Sequence, residues 1–257
     1  MVRVIAIANQ KGGVGKTTTC VNLAASLAAT KRRVLMIDLD PQGNATMGTG
    51  IAKSELERSS YDVLIGQSSI AEALVPSPQG EYSVLPSNQE LAAAEVELLG
   101  LDRREFKLRD ALEACKASFD YVLIDCPPSL NMLTVNALCA ADRVLIPMQC
   151  EYFALEGLSA LIDTIDKIRE SANPKLEIHG ILRTMFDPRN NLANEVSAQL
   201  EQHFGDRVYR TVIPRNIRLA EAPSFGCAAL FHDKFSRGAL AYLALAGEIN
   251  RRESAAA

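Results

Sequence analysis

Near the N-terminus an apolar run (Val2, Val4, Ile5, Ala6, Ile7) leads into Asn9-Gln10-Lys11-Gly12-Gly13-Val14-Gly15-Lys16-Thr17-Thr18. No other stretch constrains the fold as strongly. A strand that turns through glycines and opens directly into a helix belongs to an α/β architecture. Its glycines leave backbone N–H groups free to converge on an anion, and the helix N-terminus adds partial positive charge. Lys16 is placed to reach β- and γ-phosphates, and the Thr17 hydroxyl to ligate Mg²⁺. Gly12, Gly13, Val14, Gly15, Lys16, Thr17 and Thr18 are therefore the candidate phosphate-site residues. The pattern departs from the usual phosphate loop in two ways. Gln10 stands where the first glycine belongs, and a second lysine, Lys11, lies inside the loop.

Downstream, strand and helix patterns alternate. Helices are expected over 18–29, 103–118, 130–139, 155–171, 192–204 and 237–251, with shorter pieces over 70–74 and 89–99. Strands are expected over 33–38, 82–86, 121–125, 143–147, 178–185 and 208–213. The runs RVLMID and YVLID are almost wholly apolar, as strands buried on both faces require. With no repeat, low-complexity stretch or long linker, the expectation is one α/β domain over residues 1–257. It would be a mostly parallel twisted sheet with helices on both faces.

Ligands in such sheets sit at the carboxyl ends of the strands. Two strands end there in acid: 33–38 in Asp38 and, two residues on, Asp40; 121–125 in Asp125. An apolar strand ending in Asp is the Walker-B arrangement, which makes Asp125 a candidate Mg²⁺ ligand. Asp38 fits a supporting role behind it. Asp40, in the loop Pro41-Gln42-Gly43-Asn44, is suited to orient or deprotonate an attacking water, or else to cap an Asx turn. Lys11 is either a solvent-facing lysine or a cation that completes another subunit's site.

Composition narrows the classes. The chain is 48% hydrophobic but only 5% aromatic, with no Trp, so its core is aliphatic. A net charge of −4 argues against a general nucleic-acid binder. Yet residues 207–252 hold eight Arg and Lys against three acids, a net +5. That segment is either a solvated polar face or an anion-binding patch. The six cysteines form no C-x-x-C pair and read as reduced core thiols. No signal-peptide pattern is expected, and no apolar run reaches the roughly 20 residues of a membrane span. A soluble, cytoplasmic protein is the expectation.

Lys-Gly-Gly-Val-Gly-Lys-Thr-Thr, taken with Asp38-Leu39-Asp40-Pro41-Gln42-Gly43-Asn44 and Asp125-Cys126-Pro127-Pro128-Ser129, resembles the deviant Walker A motif set of the ParA/MinD family. Residues 147–157 (PMQCEYFALEG), Val212-Ile213-Pro214-Arg215-Asn216 and Glu221-Ala222-Pro223-Ser224 resemble its chromosomal, Soj-type members. The resemblance spans essentially the whole chain and implies an ATPase with ATP and Mg²⁺ as cofactors. It implies an ATP-dependent sandwich homodimer in which Lys11 crosses to the partner's phosphates and Gly12 stays small for that approach. Lys11, Lys16 and Asp40 become the candidate catalytic residues. It further implies non-specific binding of double-stranded DNA through Arg189 and Arg218, and release by a ParB-like centromere-binding protein that stimulates hydrolysis. Adenine contacts fall to Met185, Pro214 and Asn216.

Three other readings share parts of the pattern. A metabolic P-loop ligase or kinase needs a second substrate pocket that no motif marks. An iron–sulfur reductase needs cysteines at a dimer axis, which these do not resemble. A MinD-like membrane ATPase needs an amphipathic C-terminal helix, and residues 248–257 lack the large apolar face for one.

Overall fold

The computed structural model describes residues 2–255. Seven strands form one sheet: β1 Arg3–Ile7, β2 Val34–Asp38, β3 Val75–Pro76, β4 Ser83–Leu85, β5 Tyr121–Asp125, β6 Arg143–Met148 and β7 Glu177–Arg183. Their spatial order is β3-β4-β2-β5-β1-β6-β7, and every pairing is parallel except the β3–β4 edge. That edge strand ends in Pro76, which has no N–H to give a ladder.

Alternation along β1 sends Val4 and Ala6 into one core layer and Ile5 and Ile7 into the other. The first layer is covered by α3 (Ser60–Leu64), α4 (Ile70–Ala73), α5 (Leu91–Glu97), α6 (Lys107–Glu113), α7 (Met132–Ala140), α8 (Ala154–Ser171) and α9 (Asn191–Phe204). The second is covered by α1 (Lys16–Ala29), α2 (Asn44–Gly48), α10 (Ile217–Glu221), α11 (Ala229–His232) and α12 (Arg237–Ala255). Helices on both faces explain why β2 and β5 are buried at every position.

Three expectations fail locally. Residues 208–213 form no strand: Val208 makes one isolated bridge to Ile181 of β7, and the N–H groups of Tyr209 and Ile213 donate to the Ile181 and Arg183 carbonyls. The Glu248 carboxylate on α12 accepts the N–H groups of Arg210 and Thr211, both at 2.9 Å, so those donors do not join the sheet. The helix expected over 103–118 is broken into a 3-10 turn over Arg104–Phe106, α6 and a second turn over Lys116–Ser118, and Arg103 precedes the first at a left-handed φ of 53°. Buried Asn136 then splices the pieces: its Oδ1 accepts from Leu108 N–H and its Nδ2 donates to the Arg104 carbonyl. Finally, β7 stops at Arg183, and Met185 turns away at φ 49°.

Candidate active site

The β1–α1 loop turns its backbone N–H groups toward one point. Gly13 and Gly15 hold φ values of 75° and 89°, which side chains resist. Gly15 occupies the N-cap of α1 and brings no capping side chain, so the first-turn N–H groups stay open. Asn9 fastens the entrance, its Nδ2 donating to the Pro147 carbonyl at 2.8 Å and its Oδ1 accepting from Lys11 N–H. Thr184 fastens the exit, donating its hydroxyl to the Val14 carbonyl at 2.7 Å.

Lys16 is buried and bends back so that Nζ donates to the Lys11 carbonyl at 3.3 Å. Burial lowers its pKa, while Asp125 and Asp40 pull the other way. An ammonium arched under a glycine loop with a single carbonyl partner is poised for a phosphate. Thr17 donates its hydroxyl to Asp125 Oδ2 at 2.8 Å, whereas the buried Asp125 Oδ1 has no hydrogen-bond partner among the described residues. Asp38 and Asp125 are direct neighbours across the β2–β5 ladder. Burial, and then the facing Asp38 charge, push the Asp125 carboxyl well above the usual range. An orphaned carboxylate oxygen beside a hydroxyl, in a negatively charged pocket, fits a hard divalent cation such as Mg²⁺.

Asp38 itself is fully buried and accepts three bonds, from Thr46 N–H, the Thr46 hydroxyl and Asp40 N–H. Its role is to anchor α2. Asp40 makes the Asx turn, with Oδ1 accepting from Gln42 N–H at 2.9 Å. Its other oxygen takes no hydrogen bond among the described residues. Ser87 holds the Asp40 carbonyl at 2.8 Å and Lys53 holds that of Gln42, so this loop is tethered on two sides.

Lys11 is exposed, and its ammonium pairs with Glu151 of the same chain at the entry to α8. Gly12 has open space around the position of a Cβ. Met185, Pro214 and Asn216 come together with Gly15 and Thr18 around a cavity of about 160 Å³ beside the loop. Asn216 Oδ1 caps α10 by accepting from the N–H groups of Arg218 and Leu219. Arg189 is forked onto Asp187 through two bonds, and holds that carboxyl down to about 2. Arg218 pairs with Glu221 at 2.8 Å and Asp233 at 3.5 Å.

The basic segment does not form one patch. Arg252 turns inward over the Tyr209 ring and donates to the carbonyls of Asp206 and Val208. Arg210, Arg251 and Arg252 share a second cavity with Asp206 and Glu248. Sequence reasoning gave Asn9 no role, although it heads the loop stretch, and missed Thr46, Ser87 and Thr184 as supports of the site. Those three belong to no motif whose spacing announces them.

This fold and loop define a P-loop NTPase of the deviant Walker A class. The AAA domain model matches residues 2–178. The chromosome partitioning protein ParA of Caulobacter vibrioides is 53% identical over 98% of this chain and 95% of its own length. The chromosome-partitioning ATPase Soj of Thermus thermophilus is 51% identical over 98% of this chain and 96% of its own. A solved Mycobacterium smegmatis protein, described as cobyrinic acid a,c-diamide synthase with bound ADP and magnesium, is 38% identical with a TM-score of 0.87, covering 100% of this chain and 97% of that one. The chain belongs to the ParA/Soj family of chromosome-partitioning proteins.

Proposed function

We propose that this chain is a DNA-partitioning ATPase, acting as a single P-loop domain with ATP and Mg²⁺ as cofactors. The observation that carries the reading is a set of groups with bonds to spare at one point: the uncapped α1 N-terminus, buried Lys16 with its single carbonyl partner, and the Asp125 oxygen that has no partner among the described residues. Thr17 and Asp125 would hold Mg²⁺, which would neutralise phosphate charge there, while the backbone N–H groups from Gly12 to Thr18 and the Lys16 ammonium bind the phosphates. Met185, Pro214 and Asn216 flank the base. Asp40 orients the attacking water through the oxygen that its turn leaves free.

Lys11 completes the site of a second copy. Its cis pairing with Glu151 is exposed, so it is weak, on the order of 0–1 kcal/mol, and can exchange for a partner's phosphate. ATP then joins two copies, and the dimer binds double-stranded DNA without sequence preference on the face that carries Arg189 and Arg218. A ParB-like centromere-binding protein stimulates hydrolysis and releases the dimer from the nucleoid in the cytoplasm. No helix among the described residues is long and apolar enough to cross a membrane, and the reading involves no membrane attachment.

The test is ATP turnover with and without DNA and a ParB-like protein. Stimulation by both, lost in Lys16→Ala together with ATP binding, is the expected result. Turnover that requires a small-molecule co-substrate would instead place the chain among P-loop ligases.

A further inference from the structure

Arg189 and Arg218 are both already engaged by carboxylates of their own chain. Arg218 shares its cluster with two carboxylates, Glu221 and Asp233, and with His232, whose Nε2 lies 3.6 Å from Glu221, so its one guanidinium does not outweigh the acids that face it. The residues that tip this balance follow immediately. Lys234 and Arg237 are exposed, and neither forms an ion pair among the described residues. The fold seats them beside Arg218. The first turn of α12 packs on α10 so closely that a Cβ at Gly238 would lie 2.5 Å from Leu219 Cγ and 3.0 Å from Asn216 Oδ1. Asp233 bonds the Phe235 N–H, fixing the bend that presents Lys234. The Lys234 ammonium rests 5.0 Å from the centre of the Phe235 ring, which is itself 77% exposed. A cation steadied on an aromatic face loses less freedom when it meets a phosphate.

We propose that Lys234 and Arg237 are the principal phosphate contacts of the DNA-binding face, and that Arg218 contributes only alongside them. The partner is the double-helical phosphate backbone, recognised by charge. This rests on the DNA reading above and names the residues that supply most of the attraction.

The experiment measures retention of ATP-bound protein on duplex DNA from about 50 to 200 mM salt, for the wild type, Lys234→Gln, Arg237→Gln and the double variant. Each substitution removes one contact from each copy of the dimer. The slope of log affinity against log salt therefore becomes shallower by about 1.8 per substitution. The double variant binds at least about tenfold more weakly at the middle of that range. ATP-dependent dimerisation in sedimentation and DNA-free ATP turnover stay at wild-type values. Wild-type affinity and slope in the double variant, with DNA binding lost in Arg218→Gln, overturns the proposal and leaves the DNA reading standing. Loss of the ATP-dependent dimer together with DNA also overturns it, because the residues then act through assembly. No retention of the ATP-bound wild type on DNA overturns both.

Discussion

Thr46 is the knot that ties the Asp38–Asp40 loop to the sheet, and Thr46→Val unties it with little change of shape. The Thr46 side chain is fully buried. Its hydroxyl donates to Asp38 Oδ2 at 2.7 Å and accepts the Ser87 N–H at 2.8 Å. Valine removes both bonds. Loss of a hydrogen bond to a carboxylate costs about 1.5–3 kcal/mol, and an orphaned buried N–H costs about 1–3 kcal/mol. The Thr46 N–H bond to Asp38 survives, so the expected loss is about 3 kcal/mol at pH 8.

The pH dependence follows from Asp38, whose carboxyl burial pushes up to about 6. Between its ordinary value of 3.8 and about 6, the folded state holds a proton that the unfolded state has released. Asp38 therefore makes stability fall as pH rises through that window. The Thr46 hydroxyl opposes the fall by favouring the carboxylate. Its removal hurts more at pH 8 than at pH 5, where Asp38 is largely protonated. Urea unfolding followed by circular dichroism, without nucleotide or Mg²⁺, measures the difference. A loss below about 1 kcal/mol at pH 8, or an equal loss at both pH values, would refute the reasoning.

Lys11→Ala is expected to bind ATP with wild-type affinity yet remain monomeric and inactive; ATP-dependent dimers in sedimentation would exclude the cross-subunit role. Asp40→Ala is expected to accumulate an ATP-bound dimer retained on DNA, and wild-type turnover would remove Asp40 from hydrolysis. Gly50→Ala tests the contact behind α2. Gly50 holds φ 87°, and an added Cβ would sit 2.6 Å from the Gly226 carbonyl oxygen. A loss of about 2 kcal/mol is expected from the strain; an unchanged urea midpoint would show that the two segments part easily.

Much of this architecture was legible because its signals are local. The runs at β2 and β5 are apolar without interruption, and the glycines of the loop mark their own positive φ values. Two of the three errors share one cause, which is a polar side chain from a distant element taking over backbone groups. Glu248 captures two N–H groups of the expected strand at 208–213, and Asn136 substitutes for a helical turn between Arg104 and Leu108. Periodicity carries no trace of a partner 37 or 38 residues away.

The basic segment makes the same point electrostatically. A net +5 over residues 207–252 is a true property of the chain, but composition does not say which way a side chain points. Folding turned Arg252 inward onto backbone carbonyls and tied Arg218 to Glu221 and Asp233, while Lys234 and Arg237 stay exposed, as do Arg207, Arg210, Arg215 and Arg251.

The sequence by itself determined the fold class and the phosphate loop, because both are written in contiguous residues whose conformational demands are fixed by φ, side-chain period and helix polarity. Only the tertiary structure decided that the Asp125 oxygen has no partner among the described residues, that Asp38 anchors α2 through Thr46, and that Lys11 rests on Glu151. Burial and pairing are properties of what surrounds a side chain, and those neighbours exist only once β2 and β5 lie side by side and the segment before α8 brings Glu151 to Lys11.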